Sequence, residues 1–405
     1  MSKTRFITLI VSICIILSVL LLVGACGQQA APAPTTPAPT TPAPTTPSPS
    51  TPATPAPTTP APAKPAVEEK VINLTYNVNY NRTQIPGKYC LYFADQINKR
   101  SNGRINVVTY AAGSLSAPQD VYESVISGIA DIGQHTVAYK PGRHLELEAC
   151  HIPYSFDDGW VSSKVQNDFT NNFMPKSLDD VHYFFSSAPG PYVLINVKGG
   201  VGDVTRPSQL EGQRIRASSI GVDVTEAYGA TAVSITVNES YDAAAKGMMD
   251  FLILPIEILK GWNFADVSES YTILPLSYAT MNIGVMNVDT WNSLPDWAKA
   301  IFDDVAADMG DACGMAWWFS DIEAHEHMVA MGGHAVTIPD EYISEWKAPL
   351  APMIANYVMA ASAAGLPGAD YVKYVQERGQ YYNENHPVTE QQAIDFGRNE
   401  LLTLN

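Results

Sequence analysis

The chain has 405 residues, with 41 acidic against 24 basic side chains and a formal net charge of −17. That length allows two or three domains and a large buried core. The acidic balance disfavours nucleic acid and anionic surfaces as partners, so an anionic ligand would have to be held by a local cationic group against the general field.

The first 26 residues read as a secretion signal. Lys3 and Arg5 form a positive n-region, residues 6–23 are an uncharged apolar run, and the stretch closes on Leu22-Val23-Gly24-Ala25-Cys26, with the small residues a signal peptidase needs. A cysteine directly after two small residues resembles the bacterial lipobox, which predicts lipid on Cys26. A retained transmembrane anchor is the competing reading, because the run is near spanning length. Residues 27–66 are a Pro/Thr/Ala tract built on APTTP repeats, with nothing to bury and so unable to fold alone. Extended at about 3.1 Å per residue, it reaches on the order of 100 Å. The expectation is an extracytoplasmic body tethered by lipid to the cell membrane, in the periplasm or on the outer face of the cytoplasmic membrane.

The body begins near Val71 with a first strand over 71–76. Residues 88–100 place Tyr89, Tyr92, Phe93 and Ile97 on one helical face. A Ser-Asn-Gly turn at 101–103, a strand over 105–110, a helix over about 117–128 and a short strand at 130–134 follow, which is a β-α-β-α-β order. Asp157-Asp158 reads as a loop after the IPYSF segment, and Gly199-Gly200-Val201-Gly202 as a hairpin turn, since it lacks the helix and lysine of a phosphate loop.

Residues 205–255 repeat the same grammar. Alternation in Arg214-Ile215-Arg216-Ala217 puts Ile215 on one face and both arginines on the other. Ser218 or Ser219 can cap a short helix that Gly229 ends, and the β-branched run 232–237 reads as a strand. Asn238 supplies the next N-cap, with Tyr241, Ala244, Ala245 and Met248 on one face, and Phe251-Leu252-Ile253-Leu254 is a last strand stopped by Pro255. Strands alternating with helices imply parallel sheets, whose ligands bind beyond the carboxyl ends of the strands. Arg216 stands at such an end.

Residues 295–331 predict one long helix of about 55 Å, with Gly310 and Gly314 as points where it could break. The tail from about Pro339 is helical in pattern. No HExxH, GxSxG, CxxC or phosphate-loop pattern occurs. His325 and His327, two residues apart on a helix, point roughly 200° apart and cannot grip one metal ion. Cys90, Cys150 and Cys313 are expected to be buried, inert thiols. No metal or cofactor is expected.

The pattern PSQLEGQRIR, then GA, then NESYDAAAKGMMD resembles the solute-binding proteins of tripartite ATP-independent periplasmic (TRAP) transporters, of DctP type. The matching residues are Pro207, Leu210, Gly212, Arg216, Gly229, Ala230, Glu239, Tyr241, Ala243, Gly247 and Asp250. Further similarity lies at 91–115, 152–156 and 287–295, so that the resemblance spans roughly residues 71–345. It implies a two-lobed α/β fold, each lobe a β-sheet flanked by helices, with the long helix spanning both. Lobe I is expected to comprise 71–189 and about 280–320, and lobe II about 190–279 and 321–405 with the C-terminal helices.

The resemblance also implies a protein that captures a small organic acid and delivers it to a small and a large TRAP membrane subunit, without catalysis. Arg216 would clamp the ligand's carboxylate. Leu254 stands where many members carry a ligand-binding asparagine, Tyr192 where they carry a second arginine, and Val237 where they carry an aromatic residue. These substitutions predict a pocket poor in polar groups that prefers a monocarboxylate with an apolar or aromatic body. Ser219, Tyr80, His135 and Thr136 complete the expected ligand contacts. An ABC-importer binding lipoprotein, or a secreted enzyme or surface-attachment domain on a Pro/Thr stalk, are the alternatives.

Overall fold

In a computed structural model of the protein, the structure describes residues 70–276 and 278–404. The signal segment, the linker and Cys26 lie outside the described residues. Among the described residues, eleven strands and twelve α-helices follow in chain order. They are β1 (Ile72–Val78), α1 (Ile85–Arg100), β2 (Ile105–Tyr110), α2 (Val121–Ile126), β3 (Ile132–Thr136), α3 (Gly159–Phe173), β4 (Val181–Ser187), β5 (Val193–Val197) and β6 (Arg214–Arg216). Next come α4 (Ile220–Ala227), β7 (Thr231–Val233), α5 (Val237–Ala245), β8 (Phe251–Leu254), α6 (Ile258–Gly261), β9 (Ser268–Ile273), β10 (Asn282–Asn287) and α7 (Val288–Ser293). The long α8 (Asp296–Ala330), β11 (His334–Thr337), α9 (Ile343–Lys347), α10 (Ala351–Ala363), α11 (Gly368–Glu384) and α12 (Glu390–Phe396) complete the chain.

The strands form two sheets, ordered β2-β1-β3-β10-β4 and β11-β9-β5-β8-β6-β7. The two lobes of the expected α/β fold are built on these sheets. The expected all-parallel arrangement is corrected in each. β10 runs antiparallel between β3 and β4, and β5 antiparallel between β8 and β9. These two strands arrive from other parts of the chain, and local periodicity carries no information about a distant partner. β5 joins β9 and β8 rather than β6, so the glycine cluster at 199–202 is a turn in a longer connection and not a hairpin.

Within 205–255 the expected order β-α-β-α-β is present, but the middle strand is shorter. It stops at Val233, and Thr236 begins the next helix through a capping box with Glu239, whose carboxylate accepts from the Thr236 amide at 3.0 Å and hydroxyl at 2.8 Å. Val237 is therefore the first residue of α5 and Asn238 is inside it.

α8 is one unbroken helix of 35 residues, about 52 Å long. It packs on α1, α3 and β4 of the first lobe and on α6 and β11 of the second. Its glycines permit close approach rather than a break. A Cβ on Gly314 would lie 2.9 Å from the Trp160 Cα, and one on Gly159 of α3 would lie 2.6 Å from the Trp317 Cβ. Asp158 caps α3, accepting from the amides of Trp160 and Val161 at 2.8 and 2.9 Å, which gives the Asp157-Asp158 pair a structural use. The C-terminal helices, expected with lobe II, divide between the two. Trp346 of α9 packs on Tyr228 at the end of α4, whereas α11 lies on α3 and α12 on α8.

Candidate functional site

Arg216 is the last residue of β6, and the strand's geometry decides its surroundings. Ile215 turns into the core with no exposure, while Arg216 faces the other side and is 2% exposed. Arg214 is exposed and forks onto Asp250, with Nη2 and Nε at 2.7 and 3.1 Å from its carboxylate. Among the described residues Arg216 has no such acid. Its Nε and Nη2 donate to the Ile235 carbonyl oxygen at 3.2 and 2.9 Å, which leaves the Nη1–Nη2 edge of the guanidinium as an unused pair of donors. The titratable groups that act on it are the tyrosines Tyr278, Tyr192 and Tyr139, and burial pulls its pKa down.

A cavity of about 60 Å³ lies against this arginine between the two sheets. From the second lobe it is lined by Arg216, Tyr192, Val237, Leu254, Glu257 and Trp262, from the first by Tyr80, Thr136, Thr280 and Asn282, and from α8 by Trp317. The polar groups are cross-braced. Asn282 Oδ1 accepts from the Thr136 hydroxyl at 2.7 Å and from the Tyr80 hydroxyl at 3.0 Å. Tyr192 and Thr280 share a hydrogen bond of 2.6 Å.

Six of the eight residues singled out in the sequence thus line one cavity: Arg216, Tyr192, Val237, Leu254, Tyr80 and Thr136. Ser219 and His135 do not. Ser219 has a left-handed backbone (φ 52°) that swings the chain aside, so Ser218 lines the cavity and Ser219 a neighbouring groove. Strand alternation turns His135 away from Thr136 and into the core, 5.1 Å from the Tyr122 ring and 5.5 Å from that of His144.

Sequence reasoning also missed Thr280, Asn282, Trp317 and Glu257. The pocket is accordingly richer in polar groups than the substitutions at Leu254 and Val237 led one to expect. Glu257 left a legible trace, since it is the one charged residue in the apolar run from Phe251 to Leu259. It is 5% exposed, and burial pushes its carboxyl up to about 8. His325 is a structural residue, its Nδ1 2.7 Å from the Tyr271 hydroxyl. Among the described residues no group of three or more His, Cys, Asp or Glu side chains is placed to hold a metal ion.

Two lobes, a helix shared between them and a cavity between the sheets with a buried guanidinium against it define a protein of the solute-binding class. The chain belongs to the family described as bacterial extracellular solute-binding protein, family 7 (DctP), whose model matches residues 77–360. It is thus an extracytoplasmic binding protein by family. A solute-binding protein of Albidiferax ferrireducens is 22% identical over 267 residues, 63% of this chain and 76% of its own. A TRAP periplasmic solute-binding protein of Desulfovibrio salexigens, 24% identical, superposes with a TM-score of 0.71 over 77% of this chain and 96% of its own. A marine-metagenome TRAP protein specific for aromatic acid ligands, solved with 3-hydroxybenzoate, gives 0.72 at 22% identity over 78% and 99%. One from Rhodoferax ferrireducens with copurified benzoate gives 0.72 at 18% identity, again over 78% and 99%. At these identities the likeness to solved structures establishes the fold.

Proposed function

We propose that this protein captures a small organic monocarboxylate between its two lobes and delivers it, chemically unchanged, to the membrane subunits of a TRAP transporter. The observation that carries this reading is the unpaired guanidinium of Arg216. A buried charge without a charged partner costs several kcal/mol, and here the described residues supply one carbonyl oxygen to its donors. A ligand carboxylate would restore the balance, because its two oxygens match the two parallel donors of the free edge. Val237, Leu254, Trp262 and Trp317 offer an apolar and aromatic bed for the rest of the molecule. Two relatives of the same fold bind benzoate-type acids, which agrees with that bed. Cys26 would carry the lipid that keeps the body near the membrane subunits.

Titration calorimetry on the full chain tests this, with aromatic and branched-chain monocarboxylates beside sugar acids and C4-dicarboxylates. The first group should bind more tightly, and Arg216→Ala should weaken it by about 30-fold or more. Tighter binding of the polar set, or unchanged affinity in Arg216→Ala, would overturn the reading.

A further inference from the structure

The cavity holds a second buried ionisable group, Glu257, with no opposite charge beside it among the described residues. Glu257 follows β8 by three residues, caps α6 without a side-chain bond and lines the cavity. No lysine, arginine or histidine among the described residues acts on its carboxyl, and the interaction it makes is with Trp262. The titratable groups around it are Asp321 of α8, which lies against its backbone, Asp158 beyond Asp321 at the start of α3, and the hydroxyls of Tyr80 and Tyr192. Arg216 lines the same cavity without pairing to it.

We propose that Glu257 is a specificity-determining residue: with Arg216 holding the ligand's carboxylate, Glu257 takes a hydrogen-bond donor, a hydroxyl or an ammonium group, on the same small molecule. The proposal rests on the reading of Arg216 given above. Charge balance between two buried side chains, Arg216 and Glu257, sets the selection. A hydroxy acid with Arg216 and a neutral Glu257 sums to zero. A zwitterionic amino acid with Arg216 and an ionised Glu257 also sums to zero, its binding releasing the carboxyl proton to solvent. A dicarboxylate leaves one uncompensated negative charge beside a neutral Glu257 and two beside an ionised one. Burial holds the Glu257 carboxyl up at about 8, so at neutral pH both of the first two arrangements are within reach. Simple acids lacking the donor leave the buried carboxyl with its Trp262 contact alone.

Calorimetry on the full chain with matched acids tests the idea: mandelate against phenylacetate, 3-hydroxybenzoate against benzoate, lactate against propionate, with phenylglycine, alanine, succinate and malate alongside. At least one donor-bearing monocarboxylate should bind about tenfold more tightly than its parent, and succinate more weakly than either. Glu257→Leu should erase that preference, so that donor-bearing acid and parent bind this variant equally, and Glu257→Gln should keep it for hydroxy acids and lose it for amino acids. Repeating the titration in buffers of different ionisation enthalpy separates the two donors, since only the ammonium ligands release a proton. A preference that survives Glu257→Leu, equal binding within every pair, or no binding by any donor-bearing acid overturns the proposal. If Arg216→Ala binds as well as wild type, the carboxylate clamp itself fails. If Arg216→Ala fails to bind but Glu257→Leu changes nothing, the role of Glu257 alone falls.

Discussion

Arg216 and Ile235 are joined by two hydrogen bonds to one oxygen, Nε at 3.2 Å and Nη2 at 2.9 Å. The guanidinium is therefore oriented by the residue just before the Thr236 cap of α5, on a neighbouring strand connection. The capping box that fixes Thr236 also fixes the carbonyl that aims the arginine. Function and local helix chemistry meet at that carbonyl.

Replacing this arginine should separate binding from stability. Arg216→Met keeps the apolar stem and removes an unpaired buried charge, so the ligand-free protein should melt no lower than wild type while monocarboxylate binding is lost. Arg216→Lys should recover only part of the affinity, because one ammonium cannot present two parallel donors. Calorimetry and thermal melts on the same samples check both, and a clear drop in the melting temperature of Arg216→Met would contradict the first.

Glu257 should weigh on stability in the alkaline direction. Its folded pKa, about 8, lies above the ordinary carboxylate value. The unfolded chain thus releases its proton first, and the stabilising contribution present below about 4.5 is lost as pH rises toward 8, at about 1.4 kcal/mol per pH unit. Glu257→Gln removes this slope, so its advantage over wild type in urea unfolding should grow between pH 5 and pH 8. A constant difference across that window would show that the carboxyl ionises normally.

His151 should act in the opposite direction. It is 2% exposed, its Nε2 accepts from the Met281 amide at 2.9 Å, and burial pushes its pKa down to about 4. Above about 6.5 neither state binds the proton. Below it the unfolded chain takes one up that the fold refuses, so stability falls with falling pH by about 1.4 kcal/mol per unit until about 4. His151→Gln should flatten that part of the profile, read from urea midpoints between pH 4.5 and 7. A profile parallel to wild type would count against it.

The contact of α3 with α8 depends on the absence of a side chain. At Gly159 a methyl group would meet the Trp317 Cβ at 2.6 Å and the Trp318 amide nitrogen at 2.9 Å, atoms that cannot swing away. Gly159→Ala should cost about 1–3 kcal/mol, measured by denaturant unfolding, and weaken ligand binding through Trp317. Loss of less than about 0.5 kcal/mol, within the range of ordinary surface changes, would mean that the two helices can part cheaply.

Much of this was legible in the sequence because it is local. The 3.6-residue and two-residue periods located the elements of 205–255, and a strand end is where an arginine meets a cleft. Val237 shows how local signals compete: the β-branched run 232–237 pointed to strand, yet Thr236 and Glu239 spell a capping box that ends it. His135 needed one more step, since the neighbour of a cavity-facing strand residue must face the core. The antiparallel insertion of β5 and β10 was not legible, nor was Asn282 opposite Thr136, because strand order is set by contacts between segments 146 residues apart, as for that pair. Glu257 was visible as an odd acid in an apolar run, but only the folded cavity gives it a neighbour to serve.

The three thiols of the body have a practical consequence. Cys90, Cys150 and Cys313 are free and fully buried, Cys90 held up at about 12 and the others raised well above the ordinary thiol range. None is available as a thiolate nucleophile while the fold is intact. Maturation of the body in an oxidising compartment therefore calls for no pairing enzyme, and an alkylating reagent becomes a clock for opening. Cys90 and Cys313 lie together in one core cluster and Cys150 in another. The order in which the three are labelled under mild denaturant would thus report which region of the molecule yields first.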